Sequence, residues 1–114
     1  MIITKSEPYT AEEIEELKKT FSNGYIKTVI DIKREICSAG ADRHFESEKV
    51  LLDEGSKQSD IWGGGIDPNT QIIDLESFIN IRANQNNNDN VILDMHIREK
   101  YENLTKFFFR IIYE

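Results

Sequence analysis

A chain of 114 residues, 39% of them apolar and with a formal charge of −7, has material for one folded domain around one core and none for a second. No run approaches the roughly 18 apolar residues of a membrane span, and the start "MIITKSEPYTAEE" lacks the charged, apolar and small-residue regions of a signal peptide, so a soluble cytoplasmic protein is expected. The lone Cys37 excludes an intramolecular disulfide, and His44 and His96 lie too far apart for zinc-ligand spacing, so neither a metal nor a cofactor is expected.

The first predicted element is a helix. Thr10 is its N-cap, Glu13 three residues on completes a capping box, Ile14, Leu17 and Phe21 form one apolar face, and Asn23-Gly24 stops it. "YIKTVIDI", Tyr25 to Ile32, reads as a strand that turns at Lys33-Arg34-Glu35 and returns through "ICSAGAD" as a hairpin, bent at Gly40. "FESEKVLLDEG" admits a buried strand at Val50-Leu51-Leu52 or a short helix from Glu46 to Glu54 ending at Gly55, and the glycine stop favours the helix.

Two strands follow in "SDIWGGGIDPNTQIIDLESFINIR", joined by a turn at Asp67-Pro68-Asn69-Thr70. Period-two alternation places Ile73, Leu75, Ile79 and Ile81 on one face of the second strand and Asp74, Glu76, Phe78, Asn80 and Arg82 on the other. The tract Asn84 to Asn90 is then a surface loop, whose carboxamides both donate and accept and so suit a partner's backbone. The last helix starts at Asp94, with Ile97, Tyr101, Leu104, Phe108 and Ile111 as its stripe, broadened by Phe107 and Ile112. The expected architecture is a single α+β domain spanning 1–114, a mainly antiparallel sheet packed against an N-terminal and a C-terminal helix. Ile79 and Ile81 are expected to face Ile97, Leu104 and Phe108.

Charge is uneven along this chain. Residues 42–76 hold nine acids against three bases, −6 of the total −7. A field of that sign repels phosphate backbones, which argues against nucleic acid, and steers a basic protein toward the surface.

Motifs for catalysis are sparse. "WGGGID" lacks the lysine and Ser/Thr of a phosphate loop, so its glycines are expected to allow twist or close approach beside Trp62. His44 among Asp42, Glu46 and Glu48 reads as a surface histidine, His96 as a neutral structural one, and Asn80 with Arg82 either as part of an ion-paired scaffold or as contacts to a partner.

Gly55-Ser56, Trp62-Gly63 and Ile79-Asn80-Ile81-Arg82, followed by an Asn-containing loop and a final helix, resemble a group of small bacterial proteins similar in size and acidity to immunity proteins of contact-dependent growth inhibition. In this sequence Ala83 stands where that pattern has proline, and asparagines replace its Asn-Arg-Ser. The resemblance implies no catalytic residues. It implies an immunity protein that neutralises a cognate toxin domain, such as a nuclease; the acidic middle segment adds that the toxin is basic, and the expected contacts of a protein monomeric when free are Asp53, Glu54, Asp60, Trp62, Asp67, Asn80, Arg82 and Asn86. The alternative is a small enzyme or ligand-binding domain with a pocket near His44, Trp62, Asn80 and Arg82.

Overall fold

The computed structural model describes all 114 residues. Five strands, β1 (Ile3–Lys5), β2 (Ile26–Asp31), β3 (Ile36–Ala39), β4 (Ile61–Ile66) and β5 (Ile73–Asp74), form one sheet in the order β1-β3-β2-β4-β5, every pair antiparallel. Three helices, α1 (Ala11–Leu17), α2 (His44–Asp53) and α3 (Met95–Phe108), pack on it. The fold is α+β as expected, with one addition: α2 lies in the middle of the chain and covers the sheet face opposite α1 and α3, giving three layers.

The pleat explains the layers. Ile26 and Ile30 of β2, Cys37 and Ala39 of β3, and Trp62 and Ile66 of β4 point to one side, where Ile14 and Leu17 of α1 and Tyr101, Leu104 and Phe108 of α3 join them in the main core. Val29 and Ile61 point to the other side and meet Leu51 of α2, with Ile79 packed beside them. Both faces of β4 and nearly all of β2 are therefore buried, and the polar side chains of β2 are satisfied in place, Thr28 by the Tyr101 hydroxyl and Asp31 by the Lys33 and Arg34 N–H groups.

Local chemistry sets most boundaries. The capping box of α1 is present, with Glu13 N–H donating to Thr10 Oγ1 at 3.2 Å and Thr10 N–H to Glu13 Oε1 at 2.8 Å. In the β2–β3 hairpin Asp31 Oδ1 accepts the N–H groups of Lys33 and Arg34 at 2.9 and 2.8 Å, and Glu35 takes a left-handed φ of 57°. The segment ambiguous in sequence is helical, and Gly55, at φ 100°, ends α2 where a side chain would be strained. Asp94 caps α3 through the N–H groups of His96 and Ile97.

One element differs outright from expectation. The strand expected across Ile73 to Arg82 ends at Asp74. The chain then makes a single bridge, Glu76 to Val91, and a 3-10 turn at Phe78–Asn80 capped by Ser77. Ile79 and Ile81 consequently do not face α3: Ile79 packs in the α2 layer, and Ile81 is 51% exposed. The far end of the last helix also shifts. Phe107 and Ile111 are exposed, while Phe109, which has no place in a simple stripe, is fully buried 4.9 Å from the Tyr9 ring.

Candidate interaction surface

Along β4 the peptide groups of alternate residues point away from β2, toward the sheet edge. β5 pairs with Gly65 and Ile66 and then stops. At Gly63 the carboxamide of Asn80 takes the place of a strand: its Oδ1 accepts the Gly63 N–H at 2.8 Å, and its Nδ2 donates to Gly63 C=O at 2.9 Å. The same Nδ2 reaches the carbonyls of Leu75 and Asn90 at 3.3 and 3.1 Å. Two residues further along β4, the Arg82 guanidinium donates to the Ile61 carbonyl. Arg82 also donates to the carbonyls of Gln58 at 2.6 Å and Ile79 at 3.0 Å and lies 4.3 Å over the Trp62 ring. The two-residue spacing of Asn80 and Arg82 thus matches the two-residue repeat of outward peptide groups on β4.

That geometry corrects the reading of these side chains as a partner-contacting face. Asn80 is fully buried, Trp62 is 1% exposed and Arg82 is 7% exposed, so the structure brings the three together as scaffold. Burial also depresses the Arg82 pKa, an effect that the charge of Glu48 opposes. The expected ion pairing of Arg82 is absent: its partners are carbonyls and the Gln85 side chain.

The asparagine-rich tract is likewise more ordered than a free loop. Arg82 and Asn87 exchange main-chain hydrogen bonds at 2.7 and 3.0 Å around a 3-10 turn at Ala83–Gln85, and Asn86 closes the turn at φ 56°. Asn87 is buried. Its Nδ2 donates to the carbonyls of Asn80, Asp89 and Val91, and its Oδ1 accepts the Leu93 N–H. Its amide is spent on its own chain rather than offered outward, whereas the neighbouring Asn86 is exposed.

The acids separate into two places. Asp53 and Glu54 are exposed at the end of α2, where Asp53 pairs with Lys49 at 2.9 Å, and Asp60 is half-buried just before β4. Asp67 is half-buried in the turn before β5, with its Oδ1 accepting the Asn69 N–H at 2.9 Å. It lines a cleft of about 540 Å³ with Asp74, Glu76, Tyr25 and Arg98. Within that cleft the Tyr25 hydroxyl donates to Asp74 at 2.9 Å, and burial followed by the Asp74 charge pushes the phenol pKa up.

His44, expected at the surface, is half-buried at the first turn of α2, with Nε2 2.7 Å from the Gly64 carbonyl. Burial lowers its pKa first. Lys27 adds to that, as does the positive end of the helix, while the Gly64 hydrogen bond and Asp74 oppose it. The unfolded chain therefore binds more protons than the folded one below the ordinary histidine pKa of about 6.5, so this contribution to stability is full above that pH and is lost as pH falls. Melting curves from pH 7.5 to 5 should show the wild type losing more stability than His44→Gln below about pH 6.5. Parallel curves would place the imidazole in open solvent.

What sequence reasoning missed is apolar. Phe78 is 84% exposed and Ile81 51% exposed, on either side of the buried Asn80; Phe45 and Leu52 on α2 are 58% and 39% exposed. Phe45 and Leu52 are seven residues apart and share one side of α2, with Glu48 between them. α2 packs against the Phe78–Asn80 turn, and Glu48 is the acid whose charge acts on Arg82, so the Glu48 side of the helix is turned toward that segment. The only sequence signal was the apolar identity of Phe78 on the polar face of a supposed strand.

The molecule is thus a three-layer α+β protein whose sheet edge is completed by side chains and whose α2 layer presents apolar groups among acids. It belongs to the family DUF5674, described as a protein of unknown function, whose model matches residues 1–108. No curated protein and no solved structure matches the chain. No helix is long and apolar enough to cross a membrane.

Proposed function

We infer that this protein is a non-catalytic binding protein that masks a basic partner protein, in the manner of an immunity protein neutralising a toxin domain. One observation carries the reading: a large part of the net negative charge sits on the α2 layer. Residues 42–54, which form α2 and its approach, hold five acids against two bases, −3 of the net −7. Residues 94–114 on the opposite layer hold four of each. Of the four α1 acids, Glu13, Glu15 and Glu16 pair with Lys5, Lys18 and Lys19. A one-sided field of this kind raises the encounter rate with a basic protein and disfavours acidic ones.

The alternative of a ligand pocket built from His44, Trp62, Asn80 and Arg82 draws no support from the geometry, because Asn80 and Arg82 spend their donors on the main chain. The test of the immunity reading is a competition experiment. A strain of the host of origin lacking this gene should be outgrown by its parent in dense mixed culture and rescued by a plasmid copy. Equal fitness in contact removes the reading.

A second expectation concerns rate. Changing Asp53, Glu54 and Asp60 together to Asn, Gln and Asn should slow association with the partner and flatten its salt dependence, since each exposed charge alone contributes only about 0–1 kcal/mol. Stopped-flow association at low and high salt reads both quantities. An unchanged rate and salt slope in a folded triple variant would move the interface away from these three acids.

A further inference from the structure

We propose that the partner is gripped by an apolar knob, Phe78 and Ile81 with Phe45 and Leu52 beside them, which inserts into an apolar recess bordered by basic residues on that partner. This rests on the binding-protein reading above and names the surface within it. Phe78 is 84% exposed, so it adds nothing of note to the core. Its backbone is nevertheless tied to the scaffold. The turn that presents it is fixed by the Ser77 cap, by the Asn80 amide on β4 two residues later, and by Arg82 two residues beyond that. A large aromatic side chain on a pre-ordered backbone loses little freedom on binding, which is what makes such residues anchors.

Charge decides the chemistry of the occupant. The knob stands beside α2, whose segment holds five acids and two bases, with Glu76 exposed two residues before Phe78 and Glu48 on the α2 side that faces it. A second copy of this chain would bring two acidic layers together, and like charges across an interface oppose association. A basic partner gains from the same arrangement. Trp62, Asn80 and Arg82 serve this surface from behind by positioning it and make no contact of their own.

Site-resolved photo-crosslinking in cells of the host of origin tests the proposal and captures the partner in the same step. Benzoyl-phenylalanine is placed at Phe78, at Ile81 and, on the charge-balanced opposite layer, at Met95, which is 73% exposed. The expected result is one discrete adduct from Phe78 and Ile81, absent from Met95, whose added component is a protein of basic composition. The Phe78→Ala variant should then bind that purified protein at least about 30-fold more weakly, as an anchor residue does, with an unchanged melting temperature. A basic partner captured only through Met95 overturns the placement and leaves the binding reading standing. An adduct of two copies of this chain, or with an acidic protein, overturns the choice of occupant. The absence of any discrete adduct from all three positions overturns both readings.

Discussion

Asn80→Ala should destabilise the protein by roughly 2–6 kcal/mol, a large share of the 5–15 kcal/mol typical of such a domain. The change removes a carboxamide that stands in for a neighbouring strand. Gly63 N–H and Gly63 C=O lose their partners in a region closed to water, each at about 1–3 kcal/mol. Leu75 and Asn90 carbonyls keep one main-chain donor each, from Ile92 and Ser77, so their loss is smaller. Asn80→Asp sharpens the expectation. It preserves the acceptor for Gly63 N–H but sets a carboxylate against three carbonyl oxygens, so at neutral pH it should be less stable than the alanine variant and should recover as acid protonates the new group. Urea denaturation measures both. An alanine variant within about 1 kcal/mol of the wild type would show that water or a backbone shift replaces the amide at little cost.

Phe108→Ala is the second large effect, at about 3–5 kcal/mol. Phe108 is fully buried where α3 meets the N-terminal segment: its ring lies 6.2 Å from that of Tyr9, and its carbonyl accepts the Tyr9 N–H at 2.9 Å. The Tyr9 hydroxyl in turn donates to the carbonyls of Ile3 and Cys37. Emptying the Phe108 site leaves a cavity that these fixed contacts prevent from collapsing, which places the variant toward the costly end of the range. A midpoint shift equivalent to less than about 1 kcal/mol would mean that Phe109, also buried and 4.9 Å from Tyr9, swings into the space.

Where local and tertiary requirements agreed, the elements were legible. Thr10 with Glu13, the glycine after Glu54 and the N-cap Asp94 each mark a helix end by a rule that acts within four residues. The run Ile26 to Asp31 is apolar or β-branched enough to name a strand whatever surrounds it. Ile73 to Arg82 misleads because alternation has two physical uses. It suits a strand with one wet face, and it equally suits side chains that reach every second peptide group of someone else's strand, as Asn80 and Arg82 do on β4. Only the position of β4, set by contacts distant in sequence, separates the two. β1 is three residues long and stabilised by pairing with β3, so no local pattern announces it. The acidic excess was visible as composition, but the share of it that stands on its own layer depends on α2 crossing to the far side of the sheet.

The side-chain closure of β4 also decides how the sheet ends. An exposed strand edge is a template: each free N–H and C=O invites another chain, and the newly added strand offers the same invitation to the next, which is how edge-to-edge aggregation grows. A carboxamide and a guanidinium accept that invitation without repeating it, because neither carries a further row of peptide groups on its outer side. Beyond β5, itself only two residues long, polymerisation through this edge has nothing to copy. Losing Asn80 or Arg82 would therefore do more than weaken the fold, since it would uncover Ile61 and Gly63 as a docking template, and solutions of those variants should form thioflavin-positive fibrils under conditions where the wild type stays clear.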